Sequence, residues 1–194
     1  MKNILIIILV VFFSSCTKTG YIDTGLSTSN ENETMYKYFE SDTYNWKLVK
    51  EMIDKAELKE MFNGKSKIMF LGPVDNSVRK WMWDNKYETV SDVPVELCKK
   101  IILRYTFDKV YERELVPVGT NTDGGVILTA KASNKVRLFS LKTPYNGNPN
   151  LLITTLRINM IDVGQQGFIA SSGIKKLNGV IHSLDDTHKI GDIN

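Results

Sequence analysis

The amino-acid sequence predicts an α+β fold, with helices in the first half of the chain and strands in the second. Residues 45–104 carry apolar side chains at spacings of three and four, which is the period of helices with one buried face. From about residue 126, β-branched and aromatic residues come in short runs separated by Gly, Pro and Asn, which is typical of strands. Because the helices precede the strands, we expect separate layers around one core.

The first half is predicted to contain three helices and a strand. They are a helix over residues 45–56 with Asp42 or Thr43 as its N-cap, a strand over 67–71, a helix that opens near Asp75, and a helix from Pro94 to about Arg104. In the first helix, Trp46, Val49 and Ile53 share one face, which we expect to be buried. Proline suits the first turn of a helix, and the pair Gly72-Pro73 marks the end of the strand.

The second half is predicted to contain four strands, at residues 126–129, 136–139, 151–160 and 179–184. In the third, alternate residues from Leu152 to Met160 are apolar or Thr, so one face is expected to pack on the core. Residues 145–150 contain Asn-Gly and Asn-Pro pairs and are predicted to form an exposed loop. The run Asp123-Gly124-Gly125 is predicted to be the turn into the first strand.

The N-terminus resembles the signal of a bacterial lipoprotein. Lys2 precedes an apolar run over residues 4–13, which is about half of the roughly 20 residues that a membrane-spanning helix needs. The residues Phe13-Ser14-Ser15-Cys16 resemble a lipobox, which implies cleavage before Cys16 and diacylation of its thiol. Stable attachment generally takes more than one acyl chain. An ordinary signal peptide that borders a cysteine and an uncleaved anchor are the alternatives.

The sequence accordingly divides into three parts: a signal peptide over residues 1–15, the lipidated Cys16 with a flexible tether up to residue 33, and one domain over 34–194. The 25 Lys and Arg residues nearly balance the 22 Asp and Glu residues, so the charge does not indicate nucleic-acid binding. With Cys16 acylated, Cys98 is left alone and a disulfide framework is excluded. We expect Cys98 to be a buried thiol on a helical stripe with Val95 and Ile102.

Two blocks of the sequence resemble the signature motifs of the fasciclin (FAS1) domain family. Residues 68–78 resemble its apolar strand followed by Ala-Pro-Thr-Asp and a helix, and residues 177–182 resemble its Asn-Gly-x-Ile-His strand. The resemblance covers residues 34–194 and implies a single FAS1-like domain, a β-sheet wedge or sandwich packed with several helices from the N-terminal half. The matching residues, which we expect to be structural, are Pro73, Asp75, Asn178, Gly179 and His182.

The chain also departs from the family pattern. Between its two motifs the family usually carries a Tyr-His pair, in a segment linked to adhesion in some members, whereas this chain has Arg104-Tyr105. Val74 replaces the Thr of the first motif, and Val78 replaces its terminal aromatic residue. The resemblance therefore implies the general class of adhesion and surface binding, and no particular adhesive site is transferred.

The sequence contains none of the common enzyme signatures, and only His182 and His188 are available as general bases. His182 lies in an apolar strand and is expected to be a structural histidine with hydrogen-bonded ring nitrogens. His188 follows Asp185 and Asp186, and all three are interpreted as solvated turn residues rather than as ligands of a divalent cation. No catalytic residue, cofactor or metal ligand is predicted.

The run from Arg79 to Trp83 mixes charged and aromatic residues, which suits a surface that stacks on sugars or contacts a protein. Helical spacing places Trp81 in the core and Trp83 toward solvent, and an exposed Trp83 is the first candidate for a binding contact.

These observations predict a membrane-anchored, non-enzymatic FAS1-like lipoprotein that binds protein or carbohydrate as an adhesion module, on the outer membrane and at the cell surface. One alternative is an accessory lipoprotein of an outer-membrane glycan-uptake complex, which exposed aromatic residues such as Trp83 or Tyr145 would favour. Another is a structural lipoprotein that faces the periplasm. An enzyme is the last alternative, because it would need a pocket that gathers a histidine, a carboxylate and a nucleophile.

Overall fold

A computed structural model describes residues 31–191 and 193, so the predicted signal peptide, Cys16 and most of the tether lie outside the described residues. The helices of the described part are α1 (Met35–Ser41), α2 (Lys47–Lys55), α3 (Lys59–Asn63), α4 (Asp75–Asp84) and α5 (Val95–Arg104). The strands are β1 (Ile68–Gly72), β2 (Thr106–Phe107), β3 (Val126–Thr129), β4 (Lys135–Tyr145), β5 (Asn148–Met160), β6 (Gln165–Lys176) and β7 (Gly179–Leu184). In this part of the chain, no helix is both long and apolar enough to cross a membrane.

The strands form one seven-stranded sheet in the order β2-β1-β7-β6-β5-β4-β3. Strands β1 and β7 are parallel, and every other neighbouring pair is antiparallel. Every residue of β1 and β7 is buried, as is common for parallel strands that are covered on both faces. The fold is thus α+β, as the sequence predicts, and among the described strands the two motif strands form the only parallel pair.

A cluster of aromatic rings packs the first helices against β1. Phe39, Trp46, Phe62 and Phe70 are all buried, and the ring centroids of Phe39 and Trp46 lie 5.0 Å apart. Phe62 meets Phe70 edge to face at 5.3 Å. Rings in such tilted and edge-on arrangements attract one another beyond the effect of area burial. Aromatic packing therefore fixes the first helices on the sheet.

The side chain of Asn178 joins the helices to the motif strands. The Met35 N–H donates to its Oδ1 at 2.9 Å, and its Nδ2 donates to the Phe62 carbonyl oxygen at 2.8 Å. Its main-chain carbonyl accepts from the Ile68 N–H at 3.0 Å. The next residue must be Gly179, since its φ is +139° and a Cβ there would lie 1.8 Å from the Ile68 carbonyl oxygen.

At the other end of β1, the carboxylate of Asp75 also joins a helix to the motif strand. It accepts from the Leu48 N–H at 2.9 Å and from the Val49 N–H at 3.3 Å, and so caps helix α2. The Asp75 N–H in turn donates to the Asn45 carbonyl oxygen at 2.9 Å. Burial raises the pKa of Asp75, and its backbone hydrogen bonds oppose that shift. Pro73 is buried in the link between β1 and α4.

Several local predictions are confirmed: the strands at residues 126–129 and 179–184, the strand of the first motif, the helix that opens at Asp75, and the turn at Gly124 and Gly125, where both φ angles are +62°.

Other boundaries differ. Helix α2 begins at Lys47, so neither Asp42 nor Thr43 is its N-cap, because Asp75 supplies the capping oxygens from a distance. Helices α1 and α3 were not predicted, and Pro94 precedes α5 rather than lying in its first turn.

Strand β6 was also not predicted. Its sequence shows no alternation, because shifts of register near Ser171 bend it as it passes from β5 to β7. Residues 145–150 are not a loop: β4 runs to Tyr145 and β5 begins at Asn148, joined by a tight turn with positive φ at Asn146 and Gly147. The predicted core face of β5 holds for Leu156, Ile158 and Met160, but Leu152 is exposed. The outer part of the hairpin extends beyond the core.

We expect Asn178→Ala to lower the free energy of unfolding by about 3 kcal/mol, since it leaves the buried Met35 N–H and the Phe62 carbonyl oxygen without partners. Urea unfolding followed by circular dichroism measures this loss. The matched control is Asn150→Ala at an exposed position, where we expect a change within about 0.5 kcal/mol. Equal stabilities for the two variants would contradict the role assigned to the Asn178 amide.

Candidate functional site

Helix α4 presents Trp83 to solvent. Val78, Trp81 and Met82 face the core, while 81% of Trp83 is exposed. This division follows the helical spacing and confirms the predicted orientation of the two tryptophans. A large ring left uncovered at the end of a packed helix is uncommon, so its surroundings are a candidate binding surface.

Trp83 borders a cleft of about 920 Å³ between α2, α4 and the segment over residues 86–90. Leu48, Met82 and Val90 supply apolar surface to its walls. Charged side chains complete the lining: Lys47, Glu51, Arg79, Lys86 and Glu88. A cleft that combines apolar surface with polar groups is a candidate ligand site.

The charged groups of the cleft retain hydrogen-bonding capacity. Arg79 donates to Asn76 Oδ1 at 2.9 Å. Within the described part of the chain, the other four charged side chains of the lining form no hydrogen bond or ion pair with a protein group. Three cations and two carboxylates therefore remain available to donate to, and accept from, a ligand that enters beside Trp83.

Ring stacking and hydrogen bonds hold the walls of the cleft in place. The ring of Tyr87 stacks on Trp81 at 5.8 Å, and Lys55 Nζ donates to the Val90 carbonyl oxygen at 3.1 Å. The Thr89 hydroxyl and the Asp92 carboxylate close the following turn at 2.9 Å. The capping of α2 by Asp75 fixes the facing wall. A site with fixed walls loses less conformational entropy when it binds a ligand.

The sequence predicted only Trp83 of this cleft. Lys47 and Glu51 lie some thirty residues earlier, on a helix whose position depends on the carboxylate of Asp75. Local patterns did not indicate that α2 and α4 form opposite walls, and the only signal available in the sequence was the mixed run that ends at Trp83.

His182 is structural, as predicted. Its Nδ1 accepts from the Gly173 N–H at 3.2 Å, so Nε2 carries the proton and donates to the Tyr111 carbonyl oxygen at 2.9 Å. Burial lowers the pKa of His182, which favours the neutral ring. The ring thus connects β7 to the bend in β6 and to the segment after β2.

The prediction that His188 is a solvated turn residue is wrong. Only 3% of His188 is exposed, and its Nε2 lies 2.8 Å from the hydroxyl of the buried Tyr105. The sequence did not reveal this contact because Tyr105 lies 83 residues earlier, at the end of α5. Burial lowers the pKa of His188 to about 4. No group of three or more His, Cys, Asp or Glu residues that could hold a metal ion occurs among the described residues.

Cys98 is fully buried, as predicted, and burial raises the pKa of its thiol. A buried thiol that stays protonated is a poor nucleophile. The stripe assigned to it is correct for Ile102 but wrong for Val95, 45% of which is exposed at the first turn of α5.

The fold is similar to that of a FAS1 domain pair from the insect cell adhesion molecule fasciclin I, with a TM-score of 0.59 and 17% sequence identity. The match covers 79% of this chain and 49% of that structure, so this chain spans about half the length of the pair. No family model matches the sequence, and no curated protein matches it. The FAS1-like fold implied by the two sequence motifs is confirmed.

The buried, neutral His188 predicts a pH-dependent stability. Its pKa is about 4 in the fold against 6.5 in the unfolded chain, so between these values the unfolded state binds more protons. Stability is then full above pH 6.5 and falls by about 3 kcal/mol as the pH decreases to 4.

The measurement is urea unfolding across this range for the wild type and for His188→Gln, which keeps a polar partner for Tyr105 but does not titrate. We expect the variant to lose much less stability on acidification. Subtracting the two curves cancels the contributions of other groups, and parallel curves would contradict the assignment.

Proposed function

We propose that this chain is a membrane-anchored, non-enzymatic binding module of the cell envelope, which holds a protein or carbohydrate ligand in the cleft beside Trp83. The observation that carries this proposal is the exposure of 81% of Trp83 at a cleft of about 920 Å³. Of the charged side chains that line this cleft, all except Arg79 lack a partner among the described residues. The module would act in adhesion or in the capture of surface ligands.

The membrane anchorage rests on the sequence of the N-terminus. A lipid on Cys16 would hold the domain close to the outer membrane through the residues between Cys16 and the first helix. The FAS1-like fold agrees with a role at a surface, because the domain pair that it resembles belongs to a cell adhesion molecule.

The side chains around the cleft favour binding over catalysis. Both histidines lie elsewhere, and each is hydrogen-bonded in the interior of the domain. The described lining of the cleft combines an aromatic face with Lys, Arg and Glu side chains, and it contains no Cys or Ser nucleophile for a base to activate. An aromatic face stacks on the apolar side of a sugar ring, while charged groups bind its hydroxyls, so the lining particularly suits a carbohydrate.

Trp83→Ala is expected to weaken ligand binding at least about tenfold, in the range found for central aromatic contacts. A glycan array first identifies the ligand, and titration by intrinsic fluorescence or calorimetry then measures the affinity. The matched control is Tyr44→Ala, which removes an aromatic ring that is 87% exposed and lies outside the cleft. Equal losses for the two variants, or unchanged binding by Trp83→Ala, would exclude the cleft as the site.

Intact cells treated with a non-penetrating protease test the location of the domain. We expect the wild-type protein to be degraded while a periplasmic control protein survives, and Cys16→Ala to disappear from the membrane fraction. If the wild-type band survives on intact cells and is lost only after permeabilisation, the domain faces the periplasm and the adhesion proposal fails. Glycan binding without any effect on cell attachment would favour an accessory role in glycan uptake.

A further inference from the structure

The outer part of the β4–β5 hairpin protrudes from the sheet. Strand β3 pairs with β4 only over residues 135–138, and strand β6 pairs with β5 only over residues 157–160. The segment around Val118 covers β4 no further than Ser140. Residues 141–155, which we call the β-arm, therefore form a two-stranded extension beyond the rest of the sheet.

The β-arm ends in uncovered apolar side chains. Its exposed large residues are Tyr145 (47%), Leu151 (53%), Leu152 (51%) and Ile153 (39%). They lie close to the tight turn at Asn146 and Gly147, and because successive residues of a strand point to opposite faces, they make both faces of the tip apolar. Isolated apolar residues on a surface need no explanation, but a contiguous apolar group on a protruding element marks a contact with a partner or a membrane.

The part of the chain around the β-arm carries positive charge only. No Asp or Glu occurs between Asp123 and Asp162, whereas five cations do: Lys131, Lys135, Arg137, Lys142 and Arg157. Lys131 pairs with Asp108 at 2.6 Å, and Arg157 lies over the ring of Phe168. Lys142 lies on the β-arm itself and is exposed. This charge complements an anionic surface, although the chain as a whole is nearly balanced.

The strand directions place the β-arm at the end of the sheet where the chain enters the domain. Strand β5 starts at the tip and β6 runs antiparallel to it, so the carboxyl end of β6 points the same way as the tip. There the Leu177 N–H donates to the Glu33 carbonyl oxygen at 2.9 Å, and Lys176 Nζ pairs with the Glu33 carboxylate at 2.9 Å. The sixteen residues from Cys16 to Glu31 can span at most about 50 Å.

Helix α4 follows the opposite end of β1. Ile68, the first residue of β1, pairs with Gly179 next to the entry point, whereas Gly72 at the other end leads through Pro73 to α4. Helix α4, which carries Trp83, therefore starts from the end of the sheet opposite to the tip of the β-arm.

We propose that the β-arm docks on an anionic lipid bilayer. Its apolar tip enters the interfacial region of the membrane, Tyr145 lies at the level of the headgroups, and Lys142 contacts lipid phosphates. Bound in this way beside the proposed anchor, the domain directs the Trp83 cleft away from the membrane. The inference rests on the proposed membrane anchorage and is independent of what the cleft binds.

The edges of the β-arm argue against its pairing with a strand of a second copy. Pro144 lies in the β4 edge and Pro149 in the β5 edge, and proline cannot donate a ladder hydrogen bond. Arg113 also occupies the β5 edge, where its Nη2 donates to the Thr154 carbonyl oxygen at 3.1 Å. A lipid surface requires no free strand edge.

The test places a solvatochromic fluorophore at Leu152→Cys in the mature chain, residues 16–194, with Cys16→Ser. Cys98 is fully buried, so residue 152 provides the single accessible thiol. We expect a severalfold rise and a blue shift of emission with vesicles of phosphatidylcholine and phosphatidylglycerol, a weaker response with phosphatidylcholine alone, and quenching by lipid-borne quenchers. The matched control, Tyr44→Cys with the same label, is expected to remain in water.

Lys142→Glu in the labelled chain is expected to raise the concentration of anionic vesicles needed for half the response by about tenfold, since it reverses one charge at the membrane surface. Three results would overturn the proposal. The first is label emission that no vesicle changes, although circular dichroism shows that the chain is folded. The second is an equal change of emission with heparin in solution. The third is emission that changes with protein concentration in the absence of vesicles. The last two would assign the tip to a soluble polyanion or to a second copy, and none of the three bears on ligand binding beside Trp83.

Discussion

The buried amide of Asn178 is the constraint on which the rest of the structure depends. It accepts from the first N–H of α1 and donates to the Phe62 carbonyl oxygen in the last turn of α3. The main-chain carbonyl oxygen of Asn178 accepts from the N–H of Ile68 at the start of β1. Residue 179 is a glycine because only a residue without a Cβ allows β7 to pass so close to Ile68. A polar group in a core is costly unless every bond is made, and here both polar atoms of the amide are used. The parallel pair of β1 and β7 is thereby aligned and covered by helices.

The parallel pair of β1 and β7 also determines where the two surfaces proposed to be functional lie. The carboxyl end of β1 leads to Asp75, whose carboxylate fixes α2 against α4 and so sets the width of the cleft beside Trp83. The amino end of β1 lies where residue 33 joins the sheet and where the β-arm points. A rigid sheet therefore separates a surface suited to a polar ligand from a surface suited to lipid. The same two motif strands that determine the fold also determine the orientation proposed for the anchored domain.

Strands and helices with strong local signals were predictable from the sequence, and elements that depend on distant residues were not. The first motif, the Asn178-Gly179 strand and the division of Trp81 from Trp83 follow from local spacing. Strand β6 was missed because its bends interrupt the alternation of side chains. The contact of His188 with Tyr105 and the capping of α2 by Asp75 join residues far apart in sequence. Trp83 was identified because its helical spacing is a local signal. The opposite wall of the cleft was missed because it is formed by residues far away in the sequence.

Hydrogen exchange on the mature, acylated chain in native membranes shows whether the β-arm faces the lipid and the cleft faces away from it. We expect slower exchange at the unpaired backbone amides of residues 141–155 than in detergent-released protein. We expect unchanged exchange over residues 83–90. Slower exchange over residues 83–90, with an unaffected β-arm, would contradict the proposed orientation.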